Sequence, residues 1–183
     1  MTEIGIVSFL NHFGRGTFLD AITTSISYIP LLILLWLLFA LLAFRFDKKD
    51  GKAIFLSILF AVLIYFLVND FIFKDVVVDI FGEKLRPYLA HPNEVAAIGQ
   101  RLTDSSFPSG HVASSAAVLF VVTYFYRKSW PLCLIFVLFM MFTRMHLGMH
   151  YPTDVVAGLI FGIVYGAIGI FMAKKIVGNK KTA

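Results

Sequence analysis

Ser106-Phe107-Pro108-Ser109-Gly110-His111 opens a stretch that closes on His150-Tyr151-Pro152-Thr153-Asp154, with two apolar runs and Thr143-Arg144 between the two motifs. Hydrocarbon excludes Arg, His and Asp unless they are paired or line a polar cavity, so ionisable groups that bound apolar runs are functional candidates by default. The surrounding composition supports that setting. Over 183 residues the chain is 59% hydrophobic and only 15% charged, with 20 Phe, which excludes an ordinary soluble domain. It reads as one integral membrane domain over residues 1–183.

Outward from the central stretch, five apolar runs are expected to be spans: Ile29 to Phe44, Ala53 to Phe73, His111 to Tyr126, Trp130 to His146 and Val155 to Ala173. Crossing about 30 Å of hydrocarbon takes about 20 helical residues, so the shorter runs must draw in their polar flanks or thin the bilayer. Pro30 and Pro131 suit the first turns of their helices. Gly158, Gly162, Gly166 and Gly169 form a small-residue stripe that reads as a close helix contact. Residues 3–27 are amphipathic and broken by Gly14 and Gly16, so an interfacial helix or helix pair precedes the spans, with His12 and Asp20 as interface residues. The fold class is therefore all-α: a compact bundle of about five transmembrane helices behind an N-terminal interfacial segment. The N-terminus lacks a basic region and a small-residue cleavage site, so a removable signal peptide is not expected. Cys133, the sole cysteine, reads as a packing residue.

With five spans, the connections at 45–52 and 127–129 share a face with the C-terminal tail. That face holds Arg45, Lys48, Lys49, Lys52, Arg127, Lys128, Lys174, Lys175, Lys180 and Lys181, ten of the sixteen basic residues, and is expected to be cytoplasmic. The net charge of +5 thus reflects membrane orientation rather than a nucleic-acid partner. The connection at 74–110 and the one at 146–154 then meet on the opposite, non-cytoplasmic face.

Those connections carry the chemistry. Phosphoryl transfer needs preorganised donors around three equatorial oxygens, with a nucleophile and a leaving-group acid in line. Arg86 and Arg144 can grip oxygens through forked guanidinium groups. Pro108 before Ser109 and Gly110 reads as the start of a helix whose N-terminal N–H groups aim at an anion, with the Ser109 hydroxyl as a further donor. A neutral His150 can attack phosphorus while a carboxylate, Asp154, holds its other nitrogen, and a protonated His111 can give its proton to the leaving oxygen. The competing reading of Asp154 is a plain helix cap. His146, His150 and Asp154 also recur at metal-ligand spacing, but Pro152 interrupts that face and nearby basic residues would repel a cation, so no metal is expected. His146 reads as a packed residue behind the site, and His91 as a loop residue.

Together these residues resemble the type 2 phosphatidic acid phosphatase family, integral membrane lipid phosphatases related in fold to vanadium-dependent haloperoxidases. The family pattern is Lys, six residues, Arg-Pro; then Pro-Ser-Gly-His; then Ser-Arg, five residues, His, three residues, Asp. The second part is complete at Pro108–His111, and Arg144, His150 and Asp154 keep the third spacing with Thr143 in place of Ser. The first part keeps Arg86-Pro87 but has Asp79 where the lysine belongs, so Lys84 or Lys74 becomes the substitute cation, Lys84 lying two residues from Arg86. The resemblance implies a metal-independent, cofactor-free lipid phosphatase in which His150 forms a phosphohistidine, Asp154 orients it and His111 serves as acid. Arg86, Arg144, Ser109, Gly110 and Lys84 would hold phosphate. The expected setting is the bacterial inner membrane, with the site facing outward and the C-terminus cytoplasmic. Undecaprenyl diphosphate is the first substrate to consider, with lipid A, phosphatidylglycerophosphate and phosphatidate as alternatives. A noncatalytic lipid-binding or transport protein is the rival from another class. Oligomeric state leaves no mark in the sequence.

Overall fold

In the computed structural model, which describes residues 2–178 apart from the side chains of Asp70, Lys74 and Phe81, every regular element among the described residues is a helix. Thr2 caps α1 (Glu3–His12) by accepting the Gly5 N–H at 3.3 Å, and Thr17 caps α2 (Phe18–Ile26) by accepting the Leu19 N–H at 3.2 Å. The long apolar elements follow: α3 (Ile29–Phe46), α4 (Gly51–Tyr65), α7 (Gly110–Phe125), α8 (Trp130–His146) and α9 (Pro152–Gly178). Helix α4 runs on through a π-wound stretch, Phe66–Val77, into α5 (Val78–Phe81), and Gly82 ends the rod. A connection over 82–109 carries one short helix, α6 (Pro87–Ala90). Pro30 and Pro131 both occupy first turns, as their missing N–H predicts.

Ile29–Phe46, Gly51–Ile80, Arg127–His146 and Pro152–Gly178 are long and apolar enough to cross a membrane, and α7, with 16 residues, is the fifth and shortest apolar helix. At 1.5 Å per residue α7 reaches only about 24 Å, short of the hydrocarbon thickness. Its polar N-terminus stands level with the first turn of α9, where the Ser109 N–H meets the Asp154 carbonyl. The side-chain distribution is inverted relative to a soluble protein. Leu34, Leu38, Leu41, Leu132, Ile135 and Phe171 point outward, while Arg86, Ser109, His111, Arg144, His150 and Asp154 are buried. Lipid solvates the first group as well as a core would, so only the second needs protein partners.

Helix α7 is the centre, packed on α9, α4 and α8. The glycine stripe explains how closely. A Cβ at Gly158 would come within 2.6 Å of the Ser109 carbonyl oxygen, and one at Gly166 within 2.7 Å of that of Ala117, while Gly162 faces Ala113 in the same way. Gly169 turns instead to α4, at the Ser57 carbonyl. The contact between α7 and α9 is thus backbone on backbone, with the first turn of α7 set directly against α9.

The N-terminal segment does more than lie on the bilayer. Phe9, Phe13 and Phe18 stay exposed, but the fully buried Asn11 donates to the carbonyls of His146 (2.7 Å) and Ala96 (2.9 Å) and accepts from the Ala96 N–H (2.9 Å). Glu3 accepts the Thr153 N–H at 3.0 Å. Both helices are stapled to the end of the bundle where the connections at 82–109 and 147–151 meet. At the opposite end the Tyr126 hydroxyl donates to Asp47 at 2.7 Å, joining the two short basic connections.

Candidate active site

Four local devices bring the polar side chains together. Gly148, at φ +73°, ends α8: the Met149 N–H returns to the Arg144 carbonyl at 3.1 Å and the Gly148 N–H to that of Met145 at 2.9 Å, a paired C-terminal cap. The chain reverses there, so Arg144 on the last turn of α8 and His150 in the connection face one space. Pro152 then starts α9, and Asp154 in its first turn accepts the Tyr151 N–H at 2.9 Å through Oδ2. The Ser109 N–H donates to the Asp154 carbonyl at 3.1 Å, which ties the start of α7 to the start of α9. Finally the Ser106 N–H donates to the Lys84 carbonyl at 2.8 Å, which brings the 82–109 connection onto the same spot.

His150 is buried, and its Nδ1 lies 2.7 Å from the Ser106 carbonyl oxygen. A carbonyl only accepts, so the proton sits on Nδ1 and the lone pair on Nε2. Nε2 faces Arg86 Nη1 at 3.4 Å. Asp154 Oδ2 stands 3.8 Å from Nδ1, too far for a hydrogen bond, and acts on the ring as a nearby charge. Burial pushes the His150 imidazole down to about 4; the Arg144 and Arg86 guanidinium groups push the same way, and Asp154 opposes them. The ring is therefore a neutral base at physiological pH. Lys84 Nζ reaches Asp154 Oδ1 at 2.6 Å and Thr153 Oγ1 at 3.0 Å, so this lysine enters the cluster as the counter-charge of Asp154. Asp154 is thus cap, ion-pair partner and neighbour of His150 at once. Asp79 is exposed on α5, away from the cluster, and the Lys74 side chain lies outside the described residues.

The two arginines differ. Arg86 donates through Nε to the Asp104 carbonyl (3.0 Å), through Nη2 to Asp104 Oδ1 (2.7 Å), and through Nη1 to the Met149 carbonyl (3.2 Å). Its fork is held by the protein, with Nη1 at the His150 lone pair. Arg144 is equally buried, yet its Nε has no hydrogen-bond partner among the described residues, and neither do the Ser106 and Ser109 hydroxyls. An unpaired donor in so dry a place costs about 1–3 kcal/mol or more, a cost that an acceptor brought in by a ligand would relieve.

His111 sits between two spaces. A small cleft is lined by His111, Arg144, Met149, Ser27 and Gln100, and an apolar cavity of about 270 Å³ between α3, α4 and α7 is lined by Leu32, Trp36, Phe55, Tyr65, His111 and Ser114. His111 Nε2 lies 2.9 Å from the Ser27 carbonyl oxygen at the end of α2. The remaining sequence candidates fall outside the cluster. His146 Nδ1 meets the Leu10 carbonyl at 2.9 Å and Nε2 meets Asp20 at 3.1 Å, so it turns away from His150 and the metal-ligand stripe is not formed. Asp20, expected only at the membrane interface, is thereby a structural partner of α8. His91 pairs locally with Glu94 at 3.7 Å. Sequence reasoning missed Asp104, the carbonyls of Ser27, Ser106 and Met149, and Asn69 with Tyr65 at Gly110. Only Asp104 carried a signal, as an acid in the polar run before Phe107; a carbonyl is present in every residue.

A buried base, two buried guanidinium groups and orphaned hydroxyls thus stand together at one end of an all-helical membrane bundle. Residues 54–177 match the PAP2 superfamily, and the chain belongs to that superfamily. It is 38% identical over 82 residues to undecaprenyl-diphosphatase BcrC of Bacillus subtilis (strain 168), covering 44% of this chain and 41% of that one. It is 37% identical over 84 residues to lipid A 4'-phosphatase of Bacteroides thetaiotaomicron, covering 44% and 37% respectively. The chain thus spans about two-fifths of the length of these curated relatives. Its fold is similar to that of Aquifex aeolicus LpxE, with a TM-score of 0.66 at 22% identity, covering 91% of this chain and 93% of that one.

Proposed function

We propose that this protein hydrolyses the head group of a lipid phosphate or diphosphate, foremost undecaprenyl diphosphate, at the outer face of a bacterial cytoplasmic membrane. One observation carries the reading: the neutral, Nδ1-protonated His150 turns its Nε2 lone pair to Arg86 Nη1, and the second guanidinium acting on the same ring, Arg144, has an Nε without a hydrogen-bond partner among the described residues. The terminal phosphoryl group binds there, with Arg144, the Ser109 hydroxyl and the N-terminal amides around Gly110 taking its oxygens and Arg86 Nη1 yielding its contact with His150. His150 Nε2 forms a bond to phosphorus as the bond to the leaving oxygen breaks, and His111 supplies the proton to that oxygen. Water, activated by His111, then cleaves the phosphohistidine and releases inorganic phosphate. Asp154 steadies the charge that grows on the His150 ring, and Lys84 keeps Asp154 ionised and in place.

The apolar cavity beside His111 gives the lipid chain a route from the bilayer to the head-group site. Orientation follows from charge: Arg45, Lys48, Lys49, Lys52, Arg127, Lys128, Lys174 and Lys175 lie at the end opposite the site, which suits the cytoplasm, while Lys180 and Lys181 lie outside the described residues. A C-terminal tag reached by an impermeant reagent outside intact cells would overturn this orientation.

The test is release of inorganic phosphate by purified protein from undecaprenyl diphosphate, a lipid A 1- or 4'-phosphate, phosphatidylglycerophosphate and phosphatidate, with His150→Ala alongside. The expected result is turnover that depends on His150 and is fastest on the diphosphate. No release from any lipid, or equal release by the variant, would favour a noncatalytic lipid-binding or transport protein.

A further inference from the structure

Asn69 is fully buried within the π-wound stretch of the second long rod, and neither Nδ2 nor Oδ1 of its carboxamide has a hydrogen-bond partner among the described residues. Hydrocarbon makes such a group expensive, and a Leu at this position would carry no unsatisfied atoms. The carboxamide is not lost at random in the bundle. A Cβ built on Gly110 would lie 3.3 Å from Asn69 Nδ2 and 2.8 Å from the Tyr65 hydroxyl, so both side chains abut the first residue of α7, beside the orphaned Ser109 hydroxyl. The lack of a side chain at Gly110 is what leaves them room. π-winding recurs where a helix must re-aim a side chain for function, and here it begins directly after Tyr65.

The position relative to the two spaces indicates what the amide meets. His111 lines both the head-group cleft and the apolar cavity, so it marks the boundary between phosphate and lipid chain. Tyr65 lines the apolar cavity with His111, and Asn69 follows it by one turn along the same rod. His150 and Arg86 approach from the two connections and Arg144 from the last turn of α8. Asn69 therefore flanks the start of α7 on the side of the apolar cavity, the side from which a leaving group joined to the lipid chain would depart. A monophosphate ester offers only a bridging oxygen there. A diphosphate brings a second phosphate with further acceptor oxygens, and these need donors once water is excluded.

We infer that Asn69, with the Tyr65 hydroxyl beside it, binds the second phosphate of a lipid diphosphate and so selects diphosphates over monophosphates. The inference rests on the proposed phosphatase reading and names the substrate class within it. In the step itself the bridging P–O bond breaks, its electron pair stays on the departing lipid monophosphate, and His111 supplies the proton; Asn69 donates hydrogen bonds and transfers nothing. Asn69 is thus a specificity residue.

The test compares kcat/KM for farnesyl diphosphate and farnesyl monophosphate, which share one tail, using detergent-purified wild type, Asn69→Leu and Asn69→Ser. For Asn69→Leu the expected result is a loss of about 10- to 100-fold on the diphosphate and less than about threefold on the monophosphate, with Tm held or raised because the unpaired amide is gone. Asn69→Ser keeps a donor and is expected to lose less on the diphosphate; it also supplies the comparison if the leucine variant does not fold. Equal losses on both substrates, or no loss on the diphosphate, would overturn the inference and leave the phosphatase reading intact. Wild-type turnover of the monophosphate alone would do the same. Wild-type protein that releases phosphate from neither lipid, nor from the lipids named above, would overturn the phosphatase reading itself.

Discussion

His146 and His150 are four residues apart, both buried, and both at the end of the bundle where the long connections meet, yet their surroundings differ. Each nitrogen of His146 is engaged: Nδ1 by the Leu10 carbonyl and Nε2 by Asp20, with Phe142 stacked on the ring at 5.5 Å. His150 has one nitrogen engaged by the Ser106 carbonyl, while the other meets the Arg86 guanidinium in a longer contact of 3.4 Å. The first ring is a rivet that fastens α1 and α2 to α8. The second is a base held in one tautomer with its lone pair presented. Burial alone does not separate them; the partner of the second nitrogen does. The arginines repeat the lesson, since Arg86 is held by Asp104 and Met149 while Arg144 Nε has no hydrogen-bond partner among the described residues.

Exchanging the two histidines for alanine tests the contrast most directly. His150→Ala is expected to lose about 10³-fold or more in phosphate release, with little change in Tm, because the proposed nucleophile goes and few structural bonds go with it. A surviving rate within tenfold of wild type would break the distinction. The pH profile probes the same ring more gently. With its folded value near 4, the imidazole stays unprotonated as the pH falls from 7 to 5, so the acid limb of kcat/KM due to this group belongs near pH 4, with about a tenfold loss for each further unit. A ring at its ordinary value would already lose about thirtyfold at pH 5. An acid limb near 6.5 that vanished in a His150 variant would show that burial and the guanidinium groups do not lower it. The smallest effect on chemistry is expected at His146→Ala. Turnover of the folded protein should stay within about threefold, while loss of two buried bonds lowers stability by about 1–3 kcal/mol, read as a lower Tm.

The membrane fold was legible because lipid solvation is a property of residue type. Runs of Leu, Ile, Val and Phe between clusters of Lys and Arg marked the long helices, Pro30 and Pro131 marked their starts, and Gly158, Gly162 and Gly166 marked the contact with α7. Motif spacing likewise brought forward Arg86, Ser109, His111, Arg144, His150 and Asp154, which do converge. The N-terminal segment was recognised as an amphipathic helix or helix pair, but not as the holder of His111 and His146, since Ser27 and Leu10 act through their carbonyls. The place of Lys84 was also hidden. Sequence nominated it as a phosphate cation, whereas its Nζ lies against Asp154 in the folded chain.

Residue identity and spacing were enough to establish a helical membrane bundle and to pick out polar side chains that meet at one end of it, because hydropathy, helix breaking and ionisation are carried by each residue into any fold. The assembled bundle alone fixed which imidazole nitrogen meets a guanidinium rather than a carboxylate, which guanidinium is spent, and that Asn69 reaches Gly110. Those outcomes depend on partners 44 residues from His150 and 136 from His146, many of them backbone atoms that no side-chain pattern distinguishes.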